Sequence, residues 1–265
     1  SELFNKSFRL GIFPELWKEA NIHPIFKKKG SQSDPTNYRP ISLLSALSKV
    51  MEKIVFKNIY DHLSNHQLLS EKQSGYRPGH STQLQLTYLC HNLYKSLDSG
   101  NNFTTVFLDI SKYFDNIWHH GLIYKCEKEF GIIGPLLSWI KSYLHNRKHR
   151  VKISSSFSTF RTINAGCPQG SVLGPLLAIL YLNELSHVTE NNTQFFADDT
   201  SLHSSHTSSN IATIQQSLQN DLDKIHQYGQ QWIISFNPAK TTQLTLSNSP
   251  NSFFIIYSWN FIHVL

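Results

Sequence analysis

The sequence predicts an α+β fold, in which an antiparallel sheet is backed by helices on one face. The main observation is the order of patterns after residue 100, which runs strand, helices, hairpin, helix, hairpin, helix, strand. A second observation is the content of 40% hydrophobic and 12% aromatic residues, which is enough to bury a core in a chain of 265 residues. Together these observations exclude a wholly disordered chain.

Apolar spacing and capping residues predict the helices. Apolar residues recur at helical intervals from Ser45 to Leu63, and Ser81-Thr82 can cap a helix that runs toward Leu97. The further predicted helices cover residues 121–130, 135–145, 172–185 and a stretch from 211 toward 232. Residues 1–30 are of mixed character, and a turn-rich stretch from Ser31 to Pro40 follows them.

Short β-prone runs predict the strands. Thr104–Leu108 reads as a buried strand that ends at Asp109. The runs at 193–197 and 200–203 flank Asp198-Asp199, which predicts a hairpin with these two aspartates as its turn. The remaining β-prone pieces lie near 151–154, 157–163 and 243–247.

The charge balance favours a polyanionic partner such as nucleic acid. Lys and Arg outnumber Asp and Glu by 24 to 18, and the isoelectric point is near 9.1. The longest strongly apolar run, Val172 to Leu182, is shorter than the roughly 20 residues that a membrane-spanning helix needs, so no membrane partner is expected.

The spacing of the cysteines argues against a zinc-binding protein and against a disulfide-rich protein. Cys90, Cys126 and Cys167 are far apart, so neither a zinc site nor a disulfide framework is supported. Three separate thiols suit a reducing compartment, and no secretory signal opens the sequence. We therefore expect an intracellular protein, in the cytoplasm or the nucleus.

Carboxylates near two strand ends suggest a metal site. If the strand that ends at Asp109 neighbours the hairpin with Asp198-Asp199, three carboxylates converge. Like charges about 4 Å apart repel by about 4 kcal/mol at an effective dielectric of 20, so the cluster needs cations. Ligand sets made only of oxygen favour Mg²⁺ or Mn²⁺. A lone Asp-Asp pair is more often a solvated turn, so the assignment depends on the surrounding motifs.

Six segments carry those motifs. In chain order they are YRPISL at 38–43, GYRPGHST at 75–82, FLDISK at 107–112 followed by Phe114-Asp115, GCPQGSVLGP at 166–175, FADDT at 196–200 and NPAKT at 237–241. In this order they resemble the motifs of reverse transcriptases, in the form found in non-LTR, LINE-like and jockey-like retrotransposons. The resemblance runs from about Ile22 to Ser247.

The resemblance implies the fingers and palm of a right-hand polymerase. Residues 1–103 are expected to form the fingers with an N-terminal extension, and residues 104–247 the palm, with a fingers-derived segment near 121–165. Residues 248–265 read as a divergent C-terminal tail that resembles neither a primer-grip hairpin nor a helical thumb. The thumb is therefore expected to be absent or incomplete, as in a truncated fragment.

The resemblance also implies a catalytic centre. Asp109, Asp198 and Asp199 resemble the aspartates that bind two Mg²⁺ ions, for which Mn²⁺ is a substitute. The backbone carbonyl of Ile110 is expected to contribute beside them. Lys240 resembles the lysine that protonates the leaving pyrophosphate, with a surface salt bridge as the alternative.

Four residues resemble contacts to the incoming nucleotide. Phe114 stands where the family places a bulky ring against the sugar, which excludes a 2′-hydroxyl. Gln169 resembles the loop residue beside the nucleotide. Lys27 and Arg39 resemble basic fingers residues that hold the triphosphate, a task suited to an ammonium and a guanidinium group.

Two further residues resemble contacts to the nucleic acid. Arg77 is a candidate contact to template or primer, with a structural role as the alternative. Gly170 permits a close approach of the backbone.

The implied function is that of an RNA-directed DNA polymerase core, with an RNA template, a DNA primer and deoxynucleoside triphosphates as partners. The alternative is a catalytically inactive transposon-derived fragment that at most binds nucleic acid. The aspartates and the Gln169 loop favour the enzyme. Tyr113, which replaces the usual alanine and is expected to crowd Asp109, favours the fragment, as does the tail. The sequence does not define the oligomeric state.

Overall fold

A computed structural model describes residues 2–207, 211–247 and 255–258. The chain divides into two compact units, of which the first comprises Ser1–Leu68 and Phe114–Tyr181 and the second comprises Leu69–Tyr113 and Leu182–Leu265. Of the predicted tail, residues 248–254 and 259–265 lie outside the described residues. No helix in the described ranges is both long and apolar enough to span a bilayer.

The helices and strands alternate irregularly along the chain. In chain order they are α1 (Glu2–Leu10), β1 (Glu19–Phe26), β2 (Tyr38–Leu43), α2 (Ala46–Asn65), α3 (Thr82–Asp98), β3 (Asn102–Leu108), α4 (Tyr113–Asn116), α5 (His119–Lys128), α6 (Gly134–Leu144), β4 (Arg147–Ile153), β5 (Ser156–Phe157), β6 (Arg161–Ile163), α7 (Gly174–Leu182), α8 (Leu185–Val188), β7 (Asn192–Phe196), β8 (Asp199–His206), α9 (Ile211–Trp232), β9 (Thr242–Leu246) and β10 (Ile255–Ser258). The predicted helices and the predicted strand–hairpin order after residue 100 are confirmed.

The sheet of the first unit contains two strands that the sequence does not predict. Its order is β2-β1-β4-β5, with β6 paired to β4. Strand β1 runs antiparallel to β2 and parallel to β4. Pro24 and Pro40 are partners in the β1–β2 ladder, and proline argues against a strand when only the sequence is read. The structure accommodates Pro24 because β4 pairs only with Glu19–Ile22, so β1 has no β4 partner at that position.

Strand β4 begins earlier than its β-prone residues predict. The β-prone residues predict a strand near 151–154, whereas β4 starts at Arg147. Arg147 is 2% exposed, and its guanidinium donates to the carbonyl oxygens of Tyr143 and Trp17 at 3.0 and 3.3 Å. These bonds satisfy a buried cation at the start of the strand. In place of the single β-prone run predicted at 157–163, the structure has two short strands, β5 and β6.

A buried carboxylate joins two helices of the first unit. Glu52 lies on α2 and is completely buried. Its Oε2 accepts hydrogen bonds from the backbone N–H groups of Val172 and Leu173 at 2.8 and 3.1 Å, just before α7. The hydroxyl of Ser48 donates to Oε1 at 2.6 Å. Glu52 therefore satisfies donors that the start of a helix otherwise leaves without partners.

The second unit contains the predicted antiparallel sheet. Its strand order is β10-β9-β3-β8-β7, and every neighbouring pair is antiparallel. Helix α3 contacts β3, β7 and β8, and α9 contacts β8, so helices back this sheet as predicted. Because α3 packs on these strands, Leu69–Asp98 belongs to the same unit as the sheet, although the motifs suggest the fingers region.

We predict that Glu52→Ala lowers the free energy of unfolding by about 2–4 kcal/mol, because it leaves buried backbone donors without an acceptor. Urea denaturation measures this change. Glu52→Gln should cost less, since one amide oxygen can still accept both backbone bonds. Glu71→Ala, at an exposed carboxylate, is the control. Equal effects at positions 52 and 71 would contradict the role of Glu52.

Candidate active site

The three predicted metal-binding aspartates lie at one end of the second unit's sheet. Strands β3 and β8 are paired up to Leu108 and Thr200, so Asp109 and Asp199 follow at the next step of the same antiparallel register. Phe196 and Asp199 are the last pair of the β7–β8 hairpin, and Asp198 lies in its turn. Strand pairing therefore brings together the residues that the motifs single out.

The turn of this hairpin is shifted by one residue from the prediction. The sequence suggests Asp198-Asp199 as the turn, whereas the structure has Ala197-Asp198 there, and β8 begins at Asp199. Ala197 has φ of +59°, in the left-handed region that non-glycine residues seldom adopt. This conformation needs support from outside the hairpin.

Gln73 supplies that support. Its side chain is buried, and its Oε1 accepts hydrogen bonds from the backbone N–H groups of Ala197 and Gly75 at 2.9 and 2.7 Å. Its Nε2 donates to the carbonyl oxygen of Ala197 at 3.0 Å. One amide therefore satisfies both polar groups of the strained residue next to Asp198.

Gly75 allows the chain to approach the turn. A Cβ atom at this position would lie 2.0 Å from the backbone nitrogen of Ala197, which no side chain can tolerate. The backbone bond from Ser74 N–H to the carbonyl of Phe195, at 2.9 Å, continues the same contact. Sequence reasoning missed the role of Gln73. The signal was the GYRPGHST motif, whose first glycine is Gly75 and which follows Gln73 by two residues.

Asp109 is held from the NPAKT segment. Its carbonyl oxygen accepts a hydrogen bond from the Asn237 backbone at 2.8 Å. The Oδ1 of Asn237 accepts from the Ala239 backbone at 3.1 Å, which shapes the short 3₁₀ turn that ends at Lys240. The Nζ of Lys240 then donates to both carboxylate oxygens of Asp109, at 3.1 and 3.0 Å. Ile110 is buried and bridges to Phe236.

The electrostatics of the aspartates reflect their crowding. The pKa of Asp198 is raised chiefly by burial, and the charges of Asp199 and Asp109 raise it further while Lys240 opposes them. The pKa of Asp199 is raised by burial and by Asp109. The pKa of the Tyr76 phenol is raised by burial and, to a smaller extent, by the charges of Asp198 and Asp199.

The donor chemistry of this cluster fits divalent cations such as Mg²⁺, since the side chains present carboxylate oxygens alone. In the described ranges, however, no group of three His, Cys, Asp or Glu side chains is arranged to hold a metal ion. The ammonium of Lys240 instead occupies both oxygens of Asp109. Each oxygen of Asp109 keeps a further lone pair beside this ion pair, so the residue retains acceptor capacity for a cation.

The first unit gathers three of the predicted nucleotide and nucleic-acid residues around one loop. The backbone N–H of Cys167 donates to the carbonyl of Phe114 at 2.8 Å, and a Cβ atom at Gly166 would lie 2.7 Å from that oxygen. The Nε2 of Gln169 donates to Oδ1 of Asp115 at 2.9 Å. The loop is thus packed against the segment that carries Phe114.

The other side of this loop contacts strand β2. The carbonyl of Gln169 accepts from the Ser42 backbone at 2.7 Å. Gly170 has φ of +109°, and a Cβ atom there would lie 2.9 Å from the carbonyl oxygen of Ser42. Gly170 is therefore required by the packing of the loop.

The predicted triphosphate residues lie on the β1–β2 hairpin. Arg39 is exposed on β2, opposite Ile25 of β1. Lys27 directly follows β1, and its Nζ donates to the carbonyl of Thr36 at 2.8 Å. Both cations are accessible to an anion.

Arg77 makes internal contacts. Its guanidinium donates to the carbonyl oxygens of Ser70 and Gln73, at 2.7 and 3.1 Å. These bonds support the structural alternative, because they hold the segment from which Gln73 reaches the aspartate turn.

Tyr113 is accommodated in the core. It is 5% exposed. The register of β3 with β8 continues without a break through Leu108, the residue before Asp109. The bulky side chain therefore does not disrupt the strand that carries the first aspartate.

Comparison with known proteins identifies the family of the chain. Residues 26–257 match the family model described as reverse transcriptase (RNA-dependent DNA polymerase), and the chain belongs to that family. Its relatives include the RNA-directed DNA polymerases of the jockey, BS and X-element non-LTR retrotransposons. Over 90% of its own length, the chain is 36% identical to the probable RNA-directed DNA polymerase from transposon BS of Drosophila melanogaster. Over 94% of its own length, it is 31% identical to the RNA-directed DNA polymerase from mobile element jockey of the same species. It spans 27% and 28% of those relatives.

Solved structures show the same fold. Apo telomerase from Candida tropicalis, truncated from its C-terminal domain, superimposes with a TM-score of 0.61 at 14% identity, over 92% of this chain and 53% of that chain. A telomerase from the same species in complex with a fragment of telomeric RNA gives a TM-score of 0.59 at 12% identity, over 88% and 42%. At this identity the likeness concerns the fold alone.

We predict that Asp198→Asn makes the folded chain more stable at neutral pH when EDTA removes divalent cations. A carboxyl group whose pKa is raised by folding destabilises the folded state once it is ionised. The increase in the free energy of unfolding should be complete above the raised pKa of the folded state. It should disappear as the pH falls below the pKa of the unfolded state, about 3.9. Urea denaturation across this pH range measures it. Asp61→Asn, at an exposed aspartate on α2, is the control. A variant less stable than the parent at neutral pH would contradict the prediction.

Proposed function

We propose that the chain forms the active centre of an RNA-directed DNA polymerase, which extends a DNA primer on an RNA template. The observation that carries this proposal is the register of β3, β7 and β8, which places Asp109, Asp198 and Asp199 at one end of the sheet. Membership of the reverse transcriptase family supports the same reaction. The activity, substrates and partners of the longer relatives are extended to this chain only as part of the proposal.

The proposed reaction joins a nucleotide to the primer. The primer 3′-hydroxyl loses its proton to water and its oxygen forms a bond to the α-phosphorus of a deoxynucleoside triphosphate, while the bond from that phosphorus to the pyrophosphate oxygen breaks. Two divalent cations held by the aspartates would supply charge neutralisation and an activated hydroxyl.

The side chains around the aspartates have separate tasks in this proposal. Gln73 and Gly75 keep Asp198 in place. The Nζ of Lys240 carries a proton within reach of the aspartate site and donates it to the leaving pyrophosphate once it has left Asp109.

The nucleotide contacts are proposed on the family resemblance. Phe114 excludes the 2′-hydroxyl of a ribonucleotide. Gln169, oriented by Asp115, contacts the nucleotide. Lys27 and Arg39 attract the triphosphate, and their exposure on the β1–β2 hairpin supports this role.

The proposed partners are nucleic acids. The formal net charge of +6 favours them, and one telomerase of similar fold was solved with a fragment of telomeric RNA. We also propose an intracellular location, which the free thiols of Cys90, Cys126 and Cys167 support.

One observation favours a second candidate, an inactive fragment that binds nucleic acid without chemistry. Lys240 neutralises Asp109, and the described residues contain no ready three-ligand metal group. In an active protein this ion pair is a resting arrangement, and in an inactive fragment it is permanent.

Primer extension separates the two candidates. The chain is given an RNA template, an annealed DNA primer, deoxynucleotides and Mg²⁺, and we expect extension. Asp198→Asn should lower the rate by at least about 10³-fold, because it removes a metal-binding carboxylate. Asp61→Asn removes the same charge from an exposed helix position and should leave the rate unchanged.

Two outcomes of the primer-extension experiment would contradict parts of this proposal. If the folded parent shows no extension with either Mg²⁺ or Mn²⁺, the inactive fragment is favoured. If Asp198→Asn extends primers as fast as the parent, the aspartate assignment is wrong.

A second variant tests sugar selection. Phe114→Ala should reduce the preference for deoxynucleotides over ribonucleotides by about tenfold or more, since it removes the ring that excludes the 2′-hydroxyl. The preference is the ratio of kcat/KM for the two nucleotides. Phe56→Ala, on helix α2, is the matched control. An unchanged ratio in Phe114→Ala would remove this role.

A further inference from the structure

The first unit contains a long stretch without acidic residues. Between Glu129 and Glu184 the chain has no Asp or Glu. The same stretch contains six Lys and Arg residues, namely Lys141, Arg147, Lys148, Arg150, Lys152 and Arg161. Most of them lie on β4 and β6, so the charge is concentrated on one part of the sheet.

Strand geometry directs three of these cations to one side. Side chains alternate along a strand, so Lys148, Arg150 and Lys152 share a face of β4, while the buried Arg147 lies on the other. Phe157 of β5 is the register partner of Lys152 and therefore belongs to the same face. We call the surface formed by Lys148, Arg150, Lys152, Phe157 and Phe160 the basic–aromatic face.

The aromatic rings of this face are ordered around Arg150. The guanidinium carbon lies 4.1 Å from the ring centre of Phe157 and 4.7 Å from that of Phe160. The Nζ of Lys152 lies 5.5 Å from the centre of the Phe157 ring. The Nε of Arg150 donates to Oδ1 of Asn21 on β1 at 2.8 Å, which fixes the guanidinium between the rings.

The rings and cations remain accessible. Phe157 is 47% exposed and Phe160 is 40% exposed. Lys148 and Lys152 form no ion pair with any residue that the structure describes, and this includes Glu19, the register partner of Lys148 on β1. Stacking of Phe157 and Phe160 on Arg150 would stabilise the hairpin even if both rings were buried. Stabilisation alone therefore does not explain why the rings are half-exposed beside lysines that form no described ion pair.

We propose that the basic–aromatic face binds a single strand of nucleic acid, with bases stacked on Phe157 and Phe160 and phosphates held by Lys148 and Lys152. Exposed aromatic rings combined with cations are the chemistry that single strands require, because their bases are free to stack. A duplex offers phosphates to the same cations but keeps its bases within its own stack. The identity of the strand as an RNA template rests on the proposed function.

The test is a binding measurement with the whole chain, without nucleotides or divalent cations. Fluorescence anisotropy is recorded with an unstructured RNA of about 12 nucleotides and with an RNA duplex of equal length. Phe157→Leu and Phe160→Leu keep an apolar side chain but remove the π-face. Each should weaken binding of the single strand by at least about fivefold and leave duplex binding unchanged.

The salt dependence separates stacking from charge. Lys152→Gln should reduce the slope of log K against log salt by about 0.7 for the single strand, whereas the two leucine variants should leave the slope unchanged. Lys53→Gln and Phe56→Leu on helix α2 are the matched controls and should change neither affinity nor slope. Unfolding midpoints in urea establish that the variants are folded.

The parent protein gives a result even if a variant fails to fold. It should bind the RNA at least about fivefold more tightly than an abasic strand of the same length, because only the RNA has bases to stack. Equal affinity for the two strands, or an equal loss of single-strand and duplex binding in the leucine variants, would overturn the proposal. Since no catalysis is involved, absent primer extension with intact single-strand binding counts against the proposed function alone.

Discussion

The site depends on one buried amide, the side chain of Gln73. The turn that presents Asp198 contains Ala197 in a left-handed conformation, which costs about 1 kcal/mol or more for a residue with a Cβ atom. Gln73 bonds both polar backbone groups of Ala197, and Gly75 lets the supporting segment come close enough for these bonds to form. The hairpin therefore obtains its shape from a segment that lies far from it in the sequence. Strand pairing with β3 then determines where Asp109 meets this turn.

The parts of this arrangement that follow from local patterns were predictable. Strand β3, the β7–β8 hairpin and the long helices carry clear periodicity, and the motifs around Asp109 and Asp198 gave the site. The one-residue shift of the turn was not predictable, because Asp-Asp is a better turn pair by propensity than Ala-Asp. The tertiary bonds of Gln73 outweigh that preference. Strands β1 and β2 were missed for a similar reason, since the proline of each is tolerated only through its position in the sheet.

The loop at residues 166–170 of the first unit is also held in place by buried polar groups. Its glycines pack against the carbonyl oxygens of Phe114 and Ser42, and Glu52 holds the residues that lead from the loop into α7. Glu52 lies on the buried face of α2 together with Val55 and Ile59, whereas a glutamate in the sequence predicts an exposed position. Burial of this carboxyl group is tolerated because donors from Ser48, Tyr143, Val172 and Leu173 surround it. In both units a single polar side chain organises a loop that carries proposed functional residues.

The ion pair between Lys240 and Asp109 has a consequence for biogenesis. Many metalloproteins assemble only when their ion is present, because the ligands repel one another without it. Here an internal ammonium group shields Asp109, the aspartate whose charge raises the pKa values of Asp198 and Asp199. A newly synthesised chain can therefore complete the sheet before any ion arrives. If the proposed metal centre forms, folding and metal binding are therefore separate steps, because the ion pair already compensates the charge of Asp109 without an ion.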